Sequence, residues 1–380
     1  MKGVLMLVND FPPAPVGGAE RQAERLSMFL AGQGMQVNVI TRTHPGLASH
    51  ETRGGFGIFR VMQFGPNKFR KALFTLGALV RIFQLRDRFD VLHAHLAFSS
   101  AVSAAVAGRL LRKQVIVKFG TGGASSEIRQ SEKSLRGRIK LAILRTWVDR
   151  YISLTEEMDQ ELLATGFSGA KILRMGNGID ASLFAPAADK VAARSAIALD
   201  GKTIVLFTGR LVAVKGVPVL LRALARANRP DLHLVLAGEG ADRASLEALV
   251  DELGLHSQVT FAGDVKDVKP YLQAADIFVL PSLGEGISNS LLEAMSAGVA
   301  CVATRVGGAA ELLEQGRNGI LIEPNTVDEL AQALATLAGD SELRNRYGQL
   351  ARDSVLARYD IGSVGARYIA LYNELAGRRS

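Results

Sequence analysis

At 380 residues, 48% hydrophobic and 22% charged, the chain has the length of two domains and the composition of a soluble globular protein. No apolar run reaches the roughly 18 residues of a membrane span, and the one cysteine, Cys301, excludes an intrachain disulfide framework and a cysteine-based metal cluster. The net charge of +8 is uneven: residues 1–180 hold 25 Lys/Arg against 14 Asp/Glu and residues 181–380 hold 20 against 23, so the first half invites an anionic partner.

The opening MKGVLMLVNDFPP is too short for a signal peptide and reads as a first strand, which makes a cytoplasmic home the simplest expectation. In chain order the Val/Ile/Leu-rich runs predict strands over 3–8, 36–41, 57–64, 91–95, 114–119, 150–154 and 171–175. Amphipathic helices fall between most of them, for example Ala19–Gln33 and Leu135–Trp147. A second series of strands covers 203–208, 232–238, 258–263, 277–282, 299–304 and 319–324, again with helices in the gaps. The stretch GNGIDASLFAPAADK (176–190), with two Gly, a Pro and few periodic apolar positions, is the linker between the two series. The chain ends in helices alone, near 327–337, 341–357 and 362–376. Alternating strand and helix predicts an α/β architecture: two Rossmann-like, doubly wound domains facing each other across a cleft, with ligands outside the carboxyl ends of the strands.

Four strand ends carry chemistry. After the first strand, Gly17 and Gly18 open a helix, and bare N–H groups at a helix start suit an anion. In FTGRLVAVKG (207–216), Arg210 and Lys215 follow a strand end, a fork and a movable point charge suited to a diphosphate. In LAGEGADR (236–243), Glu239 sits between two glycines without the third of a dinucleotide fingerprint. With Val265 in the next strand-end segment, 263–266, it is a candidate wall for a nucleotide. In PSLGEGISNSLLEAMSAG (281–298), two carboxylates, Glu285 and Glu293, stand with seven residues between them. Ser288 reads as an N-cap and Glu293 lies a turn into a helix with no other charge, where a carboxylate would be partly desolvated unless it met hydroxyls such as those of a ribose.

PPAPVGGAE, NGID, GRLVAVKG, AGEG and PSLGEGISNSLLEAMSAGVACVATRVGGAAELL, in this order and spacing, resemble the family-4 retaining glycosyltransferases of GT-B fold over nearly the whole chain. The resemblance implies an acceptor-binding domain over 1–177, a nucleotide-sugar-binding domain over 178–358, and a C-terminal helix in 359–380 crossing back to the first. It implies transfer of a hexosyl unit from a nucleoside diphosphate sugar, UDP ahead of GDP, to a hydroxyl of a glycan or lipid-linked acceptor. The setting implied is the assembly of envelope polysaccharide or glycolipid. Arg210 and Lys215 match the pair that holds the diphosphate, Glu285 the carboxylate facing the transferred sugar, and Glu293 the carboxylate on the ribose. Gly286, Ile287, Ser288 and Asn289 match the loop lining sugar and phosphate, and Gly17 and Gly18 the loop that closes over the diphosphate. The implied reaction retains anomeric configuration by front-face attack, the leaving phosphate accepting the acceptor's proton. It needs no cofactor and no metal, in agreement with the lack of an Asp-x-Asp motif.

One departure stands out. Many relatives place a His at the strand end where this chain reads Phe119-Gly120. Nearby DVLHAH offers His93 and His95 on one strand face, either as a sugar contact or base, with His95 the catalytic candidate, or as hydrogen-bonded structural residues. Lys118 and the GTGG loop (120–123) are a further candidate surface for acceptor or phosphate. Two cationic amphipathic stretches, 67–89 and 129–147, suit an anionic membrane surface on the inner face of the cell membrane, with core helices carrying solvated charges as the plainer reading. A sugar-nucleotide epimerase of related fold and a catalytically silent sugar-nucleotide binder compete with the transferase reading. A nucleic-acid partner would rest on charge alone, without a reading motif.

Overall fold

The computed structural model describes residues 1–14, 17–62, 67–122, 126–199 and 202–378, with the backbone alone described over 67–72. The chain forms two compact units, Met1–Gly178 with Ile361–Ser380, and Ile179–Asp360. The first unit holds β1 (Val4–Leu7), β2 (Val37–Arg42), β3 (His50–Arg53), β4 (Phe56–Val61), β5 (Val91–His95), β6 (Gln114–Lys118), β7 (Arg150–Ser153) and β8 (Ile172–Arg174). They lie in the order β3-β4-β2-β1-β5-β6-β7-β8, parallel throughout except for the antiparallel pair β3–β4. The second unit holds β9 (Thr203–Thr208), β10 (Leu232–Ala237), β11 (Val259–Gly263), β12 (Ile277–Leu280), β13 (Ala300–Thr304) and β14 (Ile320–Ile322), ordered β11-β10-β9-β12-β13-β14 and all parallel. The order reverses beside β1 and β9, the doubly wound pattern that places a ligand at the carboxyl ends.

The predicted strands are all present, and one more joins them. β3 reads HETR, with no apolar alternation to announce it. It is held by its hairpin partner: Gly54 and Gly55 turn with φ +53° and +84°, and the His50 ring stacks on Phe59 at 4.5 Å. The strand predicted to run to residue 64 stops at Val61, and residues 63–66 lie outside the described residues. The cationic stretch 129–147 is not one helix. Ser134 caps a new one, its Oγ accepting from Gly137 N at 3.1 Å, so helix Glu127–Glu132 ends before helix Leu135–Trp147 begins. In the linker, Asp180 Oδ1 accepts from Ser182 N and Leu183 N, an Asx turn. Asp189 then caps a helix, Lys190–Ser195, that is too short to show a helical period.

Strand alternation sorts the first unit's core into two layers. Val4, Met6, Val37, Val39, Val91, Ile116 and Ile152 pack with Ala23, Leu26 and Leu30 of helix Gly18–Gly32 and with Tyr368, Leu371, Tyr372 and Leu375 of helix Ile361–Gly377. The opposite face, with Leu92 and Val115, lies under helices Asn67–Gln84, Ser99–Leu111 and Leu135–Trp147, packed side by side with the second in the middle. Gly108 lets the middle helix sit down on the sheet, since a Cβ there would lie 2.1 Å from Val115 Cγ2. In the second unit, helix Val217–Ala227 buries Val217, Leu220, Leu221, Ala223 and Leu224 on one stripe against β9 and β10 residues such as Val205, Phe207, Leu234 and Leu236.

A carboxyl group is buried in the first unit just past β6. Glu127 accepts from Gly120 N at 3.1 and 3.4 Å through its two oxygens. Burial pushes its carboxyl up to about 8 from 4.5, helped by the Glu161 charge and opposed by the Gly120 N–H and by Lys140. A carboxyl raised in the folded state adds most to stability while it is protonated in both states. That stability is lost as pH rises from 4.5 through about 8. Glu127→Gln keeps a carbonyl for Gly120 and removes the titration. Its melting temperature relative to wild type is therefore expected to climb across that window in a pH series of thermal melts. A constant difference would rule out the buried, protonated carboxyl.

Candidate active site

The carboxyl ends of β9 and β12 gather most of the residues singled out by sequence. β9 runs into Gly209, whose N–H bonds Ala237 O at 3.0 Å, and a Cβ on Gly238 would lie 1.9 Å from Gly209 O. The two glycines thus let the loops after β9 and β10 pass in contact. Arg210 follows, exposed, its guanidinium without a hydrogen bond or ion pair among the described residues. A 3₁₀ turn, Ala213–Lys215, ends at Gly216 with φ +67°, where a Cβ would strike Pro281 O at 2.0 Å. Leu283 N donates to Val214 O at 2.7 Å, fastening this turn to the loop after β12.

That fastening brings Lys215 and Glu285 together across 70 residues of chain. Lys215 Nζ lies 2.5 Å from Glu285 Oε1, with side-chain exposures of 18% and 13%. Ser282, fully buried, donates to the same Oε1 at 2.7 Å, a contact not anticipated from sequence. Gly307, with φ +50°, lies against the Glu285 carbonyl, where a Cβ would come within 2.1 Å, and Gly308 N donates to Gly286 O at 2.9 Å. The loop 286–288 is thereby pressed onto the start of the helix after β13, with Ile287 and Ser288 buried. Ser288 caps helix Asn289–Ser296, its Oγ accepting from Leu291 N at 3.4 Å, so the helix's positive end sits beside the loop. Glu293 lies a turn further in, buried, among Leu291, Leu292, Ala294 and Met295.

Other predicted residues stand further out or elsewhere. Glu239 is ion-paired with Arg243, which also holds Glu247 at 2.9 Å, and Val265 is half-buried just past β11. In the first unit the helix begins at Gly18, and the Gly17 N–H is taken by Glu20 Oε2 at 3.1 Å. Burial raises the Glu20 carboxyl above the usual range. Pro15 and Val16 of that loop, and Gly123 of the GTGG loop, lie outside the described residues.

His95 requires a correction. His93 and His95 do share a strand face, with rings stacked at 4.3 Å, but they are 0% and 1% exposed. Helix Ile361–Gly377 covers them. Tyr372 Oη lies 2.7 Å from His93 Nδ1, and neither His95 ring nitrogen has a hydrogen-bond partner among the described residues. Burial, with the Lys118 charge, pushes His93 down to about 3 and His95 lower than an ordinary imidazole, so both rings are neutral. An interior ring closed to solvent is not placed to take a substrate's proton. Lys118 is interior as well, donating to Asn177 Oδ1 at 2.9 Å, and burial lowers its ammonium to about 7. Among the described residues no group of three or more His, Cys, Asp or Glu could hold a metal ion. No described helix is long and apolar enough to cross a membrane.

Comparison with known proteins covers both halves of the chain. The family model described as Glycosyltransferase Family 4 matches residues 16–183, and the one described as Glycosyl transferases group 1 matches residues 189–354. The N-acetyl-alpha-D-glucosaminyl L-malate synthase of Bacillus anthracis is 25% identical over 95% of this chain and 94% of its own. The phosphatidyl-myo-inositol mannosyltransferase of Mycolicibacterium smegmatis is 28% identical over 95% and 91%. The crystal structure of Anabaena HepE with UDP-glucose superposes with a TM-score of 0.82 at 20% identity, covering 98% of this chain and 99% of that one, a likeness of fold. With two doubly wound sheets in sequence and a family match to each half, the chain belongs to the family-4 glycosyltransferases and has their GT-B fold.

Proposed function

We propose that this glycosyltransferase moves a hexosyl unit from a nucleoside diphosphate sugar, UDP ahead of GDP, to a hydroxyl acceptor, with retention and without a metal ion. The observation that carries the reading is the Lys215–Glu285 contact beside an Arg210 guanidinium without a partner among the described residues, at the carboxyl ends of two neighbouring parallel strands. A diphosphate leaving group gains negative charge as the glycosidic bond breaks. Arg210, Lys215 and the positive end of helix Asn289–Ser296 supply fixed positive charge to offset it. Glu285 faces the transferred sugar, and buried Glu293 accepts from ribose hydroxyls. Gly286, Ile287, Ser288 and Asn289 line sugar and phosphate, while Glu239 and Val265 wall the base. In this reading the second unit binds the donor and the first the acceptor. The UDP-glucose bound by the Anabaena protein supports a uridine donor.

We infer that the acceptor is reached at an anionic bilayer, in envelope glycolipid or polysaccharide assembly on its inner face. The three helices covering one face of the first sheet hold nine Lys/Arg and no Asp/Glu. On them Leu76, Val80, Leu110, Leu135, Ile139 and Trp147 are exposed. Cations interspersed with exposed apolar side chains match a headgroup–acyl boundary. The mannosyltransferase relative, whose name gives phosphatidyl-myo-inositol as its acceptor, supports a lipid partner.

Thermal-shift titration with UDP, GDP, ADP and dTDP, first without and then with Mg²⁺, tests the donor. A ligand at 100 times its Kd adds about 2.7 kcal/mol, so UDP is expected to raise the melting temperature without metal. No shift with any nucleotide would sink the transferase reading. Lys215→Ala is expected to cost roughly 100-fold in turnover with the sugar nucleotide so identified, and wild-type rates would remove Lys215 from the mechanism. For the bilayer, the protein is expected to sediment with phosphatidylcholine–phosphatidylglycerol vesicles and not with phosphatidylcholine alone. Leu135→Asp with Ile139→Asp should abolish this, and a wild-type protein left in the supernatant at ~0.15 M salt would refute it.

A further inference from the structure

Glu285 has two carboxylate oxygens, and the described contacts all fall on one. Lys215 Nζ at 2.5 Å and Ser282 Oγ at 2.7 Å both donate to Oε1, whereas Oε2 accepts from no described residue. The backbone around Glu285 is a poor guide for its side chain, because Gly284 and Gly286 flank it and the terminal carboxylate torsion is intrinsically broad. Of the two donors, Ser282 is the one tied directly to the sheet. It sits two residues past β12 and is fully buried, and its carbonyl accepts from Thr304 Oγ1 at the last residue of β13. Thr304, 1% exposed, also reaches Leu280 O at 3.4 Å, so its hydroxyl spans the ends of the β12–β13 pair.

We propose that Ser282 is a positioning residue for glycosyl transfer. Its backbone carbonyl is held to the sheet by Thr304, and its hydroxyl fixes Glu285 Oε1 against Lys215 and so presents Oε2 to the transferred sugar. The inference rests on the reading that Glu285 and Lys215 serve the transfer. It adds that a neutral, buried hydroxyl sets their geometry. A carboxylate that accepts from an ammonium and a hydroxyl on one oxygen is held in orientation as well as in charge.

Two readouts test it. The first is nucleotide release from UDP-glucose or GDP-mannose, with water as acceptor. Ser282→Ala should lower kcat about tenfold, the scale of one hydrogen bond to a charged group, with donor KM unchanged. Ser282→Thr should restore part of the rate, and Ser282→Ala should cost little more in a Glu285→Gln background. The second needs no turnover: acetylation of Lys215 by acetic anhydride, read by mass spectrometry against the other lysines. Ser282→Ala is expected to speed it several-fold in wild type and hardly at all beside Glu285→Gln. Equal losses in both backgrounds, or a lower melting temperature with kcat and Lys215 acetylation unmoved, would leave Ser282 an ordinary buried hydroxyl. A wild type that binds and turns over no sugar nucleotide would count against the transfer reading, and Lys215 acetylation would still decide whether Ser282 governs the pair.

Discussion

The Lys215–Glu285 pair exists because two loops pass within a carbonyl's width of each other. At Gly216 a side chain would lie 2.0 Å from Pro281 O, and at Gly307 one would lie 2.1 Å from Glu285 O. The loops after β9, β12 and β13 can therefore close on one point only with hydrogen at those Cα atoms. Electrostatics then builds on sterics. The ammonium, the carboxylate, the Ser282 hydroxyl and a helix N-terminus are collected by backbone contacts that owe nothing to charge. An ion pair largely withdrawn from water is a weak source of stability, so the packing must supply the cohesion.

Much of the architecture was legible in the chain. Strands buried on both faces announce themselves as short Val/Ile/Leu runs, and β5, β9 and helix Leu135–Trp147 fall on their predicted residues. Motif order pointed to Arg210, Lys215, Glu285 and Glu293 and to the Ser288 cap. Contacts between distant segments were not legible. Ser282 stands in the quoted PSLGEG run, yet nothing local says that its hydroxyl turns toward Glu285 or that its carbonyl is held from β13. β3 escaped notice because its pairing, not its side chains, makes it a strand.

His93 and His95 show the converse limit. Alternation put them correctly on one strand face, but alternation cannot say what covers that face. Tyr368 and Tyr372, some 270 residues later in the chain, do so, and the helix carrying them closes an interior of imidazoles, phenols and one ammonium. Lys118 and Asn177 complete that interior from β6 and from the first unit's last residues before Ile179. A titratable residue at a strand's carboxyl end is a candidate for chemistry only until the covering element is known.

β3 has a further consequence for the molecule in a crowded cell. A parallel sheet ending at β4 would expose a row of unpaired backbone groups on a strand whose Phe56, Ile58 and Phe59 are apolar. The polar HETR strand occupies that edge, with Glu51 bridging Arg53 at 2.5 Å and Arg60 at 3.0 Å. A second copy adding itself edge-on would have to bury the ionic side chains of so short and hydrophilic a strand. The hairpin that escapes pattern reading thus acts as a terminator, guarding one margin of the sheet against strand-to-strand polymerisation.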